Sequence, residues 1–210
     1  MFATLLAAFH VLLYQETHMC DHIVCTVMSS RVQTGSDRVL GYFLNTVFLR
    51  ASFSPEQSFR SLIVMVKESV LGALSHPVPF RRVTSSVARA GNSRPQVQAM
   101  FILDPPLKRL SEVWDLTQHD VDTGLSKFDL CLWMEEREGY LGRFNFRRDI
   151  FNTETVCRLA RKWTALLEAI ARNPDLSIEE LARSIKVASP TAVVKGERAS
   201  WLRGILRGRS

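Results

Sequence analysis

The sequence predicts an α/β fold, a mixed β-sheet covered by helices in a two-layer sandwich, and three observations predict it. Helical and extended stretches alternate along 210 residues without an internal repeat. Short apolar runs of strand length are bounded by turn residues, and two longer segments carry an apolar stripe at helical spacing. With 46% hydrophobic and 23% charged residues, the chain has the material for one sizeable core.

Thr4 to Tyr14, inside the apolar opening MFATLLAAFHVLLY, reads as a buried helix. No Lys or Arg precedes that run and no small-residue cleavage site follows it before Gln15 to His18, which argues against a secretory leader. It is also shorter than the roughly 20 apolar residues that span a bilayer. Ile23 to Val27 is expected as a buried strand, followed by a polar connection from Gln33 to Arg38 and an extended segment from Val39 to Arg50. Ser54-Pro55-Glu56 is expected to open the next helix: Ser caps, Pro suits the first turn and Glu favours the positive end of the dipole. Phe59, Leu62, Ile63, Val66 and Val70 form its apolar face to about Leu74, and Pro77 and Pro79 end it near His76.

A short helix is expected from Arg82 to Arg89, with a turn at Gly91-Asn92. Strands follow at Val97 to Leu103, Ser126 to Glu135 and Tyr140 to Phe146; Asp104-Pro105-Pro106 breaks the first, and the last two form a hairpin around Arg137-Glu138-Gly139. Asn152-Thr153-Glu154 starts the longest helix, striped by Val156, Leu159, Trp163, Leu166, Leu167 and Ile170 and stopped by Asn173-Pro174. Ser177 caps a final short helix to Arg183. Beyond Val187 the composition turns to linker, with a weak basic helix from Glu197 to Leu206, so residues 1–187 are expected as the folded body and 188–210 as a basic, partly disordered tail.

The net charge of +6 raises the question of nucleic acid, but Lys195, Arg198, Arg203, Arg207 and Arg209 of the tail supply much of the excess and the body is nearly balanced. No aromatic–basic stacking platform, zinc finger or helix-turn-helix pattern is present, so neither nucleic acid nor a membrane is expected as a partner. Cys20, Cys25, Cys131 and Cys157 are scattered without CxxC or zinc spacing, which argues against a disulfide framework or structural metal and for a reducing, cytoplasmic setting. No two histidines are adjacent; His119 with Asp120 and Asp122 reads as a solvated loop. No G-x-S-x-G and no Gly-rich phosphate loop occurs.

The stretch from Gly41 to Arg50, GYFLNTVFLR, carries more information than any other. It resembles the G-x-F-x-N-T-x-x-x-R segment in the C-terminal lobe of condensation domains of nonribosomal peptide synthetases, members of the chloramphenicol-acetyltransferase-like, CoA-dependent acyltransferase superfamily. Other landmarks agree in order. Thr4 to Phe9 and Asp21 to Arg31 stand where the family has its T-L-L-A-A-F helix and D-I-V-V-G-T-P strand. His76-Pro77-Val78-Pro79-Phe80-Arg81 echoes H-Q-x-x-P-F-E, and Arg89 to Phe101, with Pro95, Gln98 and Met100, echoes R-D-x-S-x-x-P-L-F-Q-V-M-F. Lys127 to Leu130 and Arg148 to Phe151 are similar to the F-D-L and D-L-F landmarks, so the resemblance spans roughly residues 2 to 182. Departures are Cys25 and Val27 for a usual Gly and Pro, Pro77 for Gln, Arg81 for an acidic residue and Gln96 for Leu.

The resemblance implies a single acyltransferase-like lobe, half of a V-shaped enzyme in which carrier-bound donor and acceptor enter a tunnel on phosphopantetheine arms. The family's catalytic His-His-x-x-x-Asp-Gly belongs to the other lobe, and these 210 residues contain neither it nor a substitute, so no catalytic residue, bound cofactor or metal is expected here. Asn45 and Thr46 are candidates for lining the tunnel, with the alternative that Asn45 pairs with neighbouring backbone and only shapes the strand end. Arg50, Arg89 and Gln98 match family positions and are expected as structural ion pairs or buried hydrogen bonds; His76 is expected as a helix-terminus histidine. Implied partners are aminoacyl or peptidyl carrier proteins and an N-terminal lobe in cis or trans, with self-association through the exposed lobe surface. Absence of adenylation-type sequence after Val187 reads as a domain that ends its polypeptide. Three functions stay open: a peptide-bond-forming lobe, a non-catalytic docking module, and a lobe of an epimerising or ester-forming relative.

Overall fold

The computed structural model describes residues 1–29, 31, 38–89, 98–106, 126–137 and 139–185. The expected turn at Gly91-Asn92, the polar stretch around His119, most of the connection from Gln33 to Arg38, Gln96, and the basic segment 188–210 lie outside the described residues. The elements run α1 (Phe2–Thr17), β1 (Asp21–Ser29), β2 (Leu44–Ser52), α2 (Phe59–Ser75), α3 (Phe80–Arg89), β3 (Ala99–Asp104), β4 (Leu130–Arg137), β5 (Gly139–Phe146), α4 (Thr153–Arg172) and α5 (Ile178–Ser184).

The strands form one mixed sheet in the order β2-β1-β3-β4-β5. Antiparallel pairs β1–β2 and β4–β5 flank a parallel centre in which β3 pairs with both β1 and β4. The β4–β5 hairpin turns as the sequence predicts, and Gly139 supplies a φ of 136° that side-chain-bearing residues rarely adopt.

Val24, Leu49, Phe101, Leu132 and Phe144 face the helices from successive strands and join one core with α1, α2, α4 and α5. α1 lies at its centre, with Leu5 to Leu12 buried without interruption. A helix packed between a sheet and other helices has no solvent side, so its sequence needs no polar face. Phe9 sits 5.9 Å from Phe101 and 6.5 Å from Trp163 of α4, ring centre to ring centre, tying α1 to both layers. The stripes hold: Phe59, Leu62 and Val66 of α2 and Val156, Leu159, Trp163, Leu166 and Ile170 of α4 are buried, while Ile63, Val70 and Leu167 are half-buried.

One helix start differs from the sequence expectation. α2 begins at Phe59 with Ser58, not Ser54, as its cap, and the Ser58 side chain accepts the Ser61 N–H at 3.2 Å. Residues 54–57 instead form a turn closed by Gln57 N–H donating to Ser54 O at 3.2 Å. The competing partner is distant in sequence: Glu179 and Ile178 donate to Pro55 O and Gln57 O, while Phe59 and Arg60 donate to Leu176 O and Pro174 O, at 2.9–3.2 Å. Once the Pro55 and Gln57 carbonyls accept the first N–H groups of α5, they cannot also begin a helix.

The strand expected from Ser126 starts at Leu130; just before it Arg147 N–H donates to Asp129 O at 3.0 Å and the Arg147 guanidinium reaches Asp129 Oδ1 at 3.2 Å. Cys25, standing for the family's Gly, lies in regular strand, since His18 is the sole non-glycine residue with positive φ among those described. No helix among the described residues is long and apolar enough to cross a membrane.

Candidate functional site

Strand alternation divides the motif on β2 between two surfaces. Asn45, Val47 and Leu49 point to the helix side; Thr46, Phe48 and Arg50 point to the opposite face, where Phe48 stands beside Cys25 of β1. That second face has its own small cluster of Cys25, Met100 and Cys131, one residue from each of three neighbouring strands, edged by Val27, Phe48, Ile102 and Phe128.

Asn45 is half-buried and both ends of its carboxamide are used. Nδ2 donates to Val78 O at 2.9 Å, and Oδ1 accepts the Phe80 N–H at 3.1 Å. Phe80 then stacks on Phe48, centroids 5.2 Å apart and planes 16° off parallel. Asn45 therefore pairs with backbone more than thirty residues away, not with the neighbouring backbone of the alternative expectation. Thr46 is half-buried on the second face opposite Val27.

Arg50 grips the Asp21 carboxylate with Nε and Nη2 at 2.8 and 2.6 Å, which holds the Asp21 carboxyl below its ordinary range and raises the guanidinium. His76 caps the end of α2: its N–H donates to Gly72 O at 3.0 Å and Nδ1 lies 3.2 Å from the same oxygen. Gln98 corrects the expectation of a buried hydrogen bond, because its side chain is exposed and its contribution is the backbone carbonyl that accepts Leu130 N–H at 2.9 Å. Arg89 is the last residue of α3, and its side chain lies outside what the structure describes.

The fold thus brings Asn45 to the Val78–Phe80 connection that follows His76, leaves Thr46 on the other face of the sheet, and sets Arg50 about 17 Å further along β2 at ~3.4 Å per residue. A second grouping escaped sequence reasoning. On the second face Trp133 Nε1 donates to Asp104 Oδ2 at 2.8 Å, Glu135 forms an ion pair with Arg143, and the Arg143 guanidinium lies 5.9 Å from the Trp133 ring centre. Glu135 is only 3% exposed. Its signal was a carboxylate directly after the apolar run Leu130 to Met134, where alternation places it opposite the core.

Chemically, these groups form hydrogen bonds and ion pairs within the chain. Burial pushes the Cys25 and Cys131 thiols up to about 12, so neither is a nucleophile at neutral pH. Among the described residues no three His, Cys, Asp or Glu side chains gather as metal ligands.

A five-stranded mixed sheet under helices, with a motif strand that links backbone segments, defines an α/β domain. The condensation-domain family model matches residues 1–184, and the chain belongs to that family. It is 34% identical over 189 residues to tyrocidine synthase 3 of Brevibacillus parabrevis, covering 87% of this chain and 3% of that protein. It is 28% identical over 187 residues to the phosphinothricin tripeptide synthetase PhsC of Streptomyces viridochromogenes, covering 86% of this chain and 17% of that protein. The chain therefore spans a small part of these relatives.

Among solved structures, a four-domain nonribosomal peptide synthetase bound to AMP and glycine superposes with a TM-score of 0.72 at 20% identity, over 85% of this chain and 15% of that one. The first condensation domain of the calcium-dependent antibiotic synthetase gives 0.65 at 19%, over 85% of this chain and 41% of that one. The X-domain of teicoplanin biosynthesis, in complex with OxyB, gives 0.72 at 22%, over 89% of this chain and 43% of that one.

Proposed function

We propose that this chain is the C-terminal lobe of a nonribosomal peptide synthetase condensation domain, which works with a lobe carrying His-His-x-x-x-Asp-Gly to form amide bonds between carrier-bound aminoacyl or peptidyl thioesters. One observation carries the reading: nearly all of the folded chain aligns with only about two-fifths of a solved condensation domain, and these 210 residues hold no HHxxxDG. Half a tunnel does not hold donor, acceptor and base at reacting distance, so the lobe is expected to be inactive alone. Its partners in this reading are carrier proteins that bring phosphopantetheine-bound substrates, and the other lobe in cis or trans.

The test is a condensation assay with loaded donor and acceptor carriers, on the chain alone and mixed with a family N-terminal lobe. Turnover confined to the mixture is the expected result; turnover by the chain alone contradicts the reading. A second reading, a non-catalytic docking module, is favoured by the likeness to the teicoplanin X-domain, solved in complex with OxyB. Carrier binding without turnover in the mixture supports that second reading.

A further inference from the structure

The family motif on β2 and the echo of H-Q-x-x-P-F-E after α2 are separate in sequence but one device in space. Pro77 and Pro79 stop α2 and remove two backbone donors from the connection that launches α3. The first N–H groups of a helix have no intrahelical acceptor, and Pro79 has no side-chain oxygen to offer. Asn45 supplies that acceptor from β2: its Oδ1 takes the Phe80 N–H while its Nδ2 holds Val78 O. Phe48, three residues further along β2, stacks on Phe80 and closes the same joint. α3 has β2 as its main neighbour, so this joint is its chief attachment to the body.

We infer that Asn45 is a positioning residue: it caps α3 from the neighbouring strand and holds that helix on the sheet edge, without itself contacting substrate. The carboxamide suits the task because it alone presents one donor and one acceptor side by side to a carbonyl and an N–H two residues apart. Aspartate keeps the acceptor for Phe80 and loses the donor to Val78. Alanine loses both: the part-buried Phe80 N–H loses its acceptor, while the exposed Val78 carbonyl is left to water. The effect on the helix is independent of the reaction; the effect on turnover rests on the condensation reading.

The experiment measures amide hydrogen exchange on the full chain for wild type, Asn45→Ala, Asn45→Asp and Phe48→Ala. Asn45→Ala is expected to speed exchange of Phe80 and α3 roughly ten- to hundredfold while α1 and α4 keep their protection, with Asn45→Asp intermediate. Phe48→Ala is expected to loosen the same segment, and the double variant to add little further, because both act on one joint. Unchanged α3 exchange in Asn45→Ala, or strictly additive effects, overturns the inference. If Asn45→Ala unfolds the chain globally, Asn45→Asp and Phe48→Ala still decide it.

The second readout is the assay with the added N-terminal lobe. Positioning predicts that Asn45→Ala and Phe48→Ala both lower kcat at nearly unchanged KM for either carrier; a merely structural joint leaves the folded enzyme's kcat unchanged. A rise in KM in Asn45→Ala that Phe48→Ala does not share is the mark of direct substrate contact and overturns the inference. Absence of any wild-type turnover counts against the condensation reading, while the exchange result still decides the role of Asn45.

Discussion

His10 shows what one buried polar side chain does to this protein. It is 1% exposed in the middle of α1, and its ring stacks on His22 of β1 with centroids 6.0 Å apart. Nδ1 of each ring is buried without a hydrogen-bond partner among the described residues. Burial first, and the charge of His22 second, lower the His10 pKa from 6.5 to about 3; burial also lowers His22, against the pull of neighbouring Asp21. In the unfolded chain His10 takes up a proton near 6.5, so below that pH the unfolded state binds more protons and folding weakens. Stability present above pH 6.5 is therefore lost as the pH falls toward 3, by on the order of 1 kcal/mol per pH unit. Urea midpoints at descending pH measure it, and His10→Leu is expected to flatten the slope; an equally steep slope in the variant refutes the assignment. A second residue-scale expectation concerns thiols. Cys25 and Cys131, 2% and 3% exposed and pushed up to about 12, resist alkylation at mildly alkaline pH until the protein unfolds.

At the scale of elements, caps decide where helices begin and end. α5 is only seven residues long and depends on a capping box, in which Ser177 Oγ accepts the Glu180 N–H at 3.1 Å and Glu180 returns to Ser177 N–H at 2.8 Å. Ser177→Ala is expected to cost about 1 kcal/mol, read as a lower urea midpoint at unchanged slope. α1 ends differently, on His18 at φ 57°, whose N–H bonds Tyr14 O at 2.7 Å. A residue with a Cβ is strained there, so His18→Gly is expected to stabilise the fold by roughly 0.5–1 kcal/mol. Equal stability of the two proteins would mean that the His18 contacts offset the backbone strain.

For the molecule as a whole, the exposed apolar groups matter most. Leu40 and Tyr42 are 99% and 84% exposed, and Leu71, Leu74 and Val78 at the α2–α3 joint are about half exposed. In the proposed reading, part of this surface meets the rest of a condensation domain. The isolated chain is then expected to self-associate with rising concentration, and an added N-terminal lobe to suppress it. Light scattering checks this, and a sharp monomer at high concentration in the absence of the lobe speaks against it.

The sequence by itself determined the fold class, the order of elements and most of their faces. The apolar stripe of α4, the long apolar run of α1, the Gly139 hairpin and the Asn152 and Ser177 caps are local patterns, legible because period and cap chemistry act within a few residues. The family was legible for the same reason, through motifs that keep their spacing. Only the tertiary structure decided that α2 starts at Ser58, that Arg50 binds Asp21, that Glu135 pairs with Arg143 across a hairpin, and that Asn45 caps α3. Each of these depends on a polar group finding a partner brought near by the fold, and hydrogen-bond demand in a sequence says that a partner is needed without saying which one packing will supply.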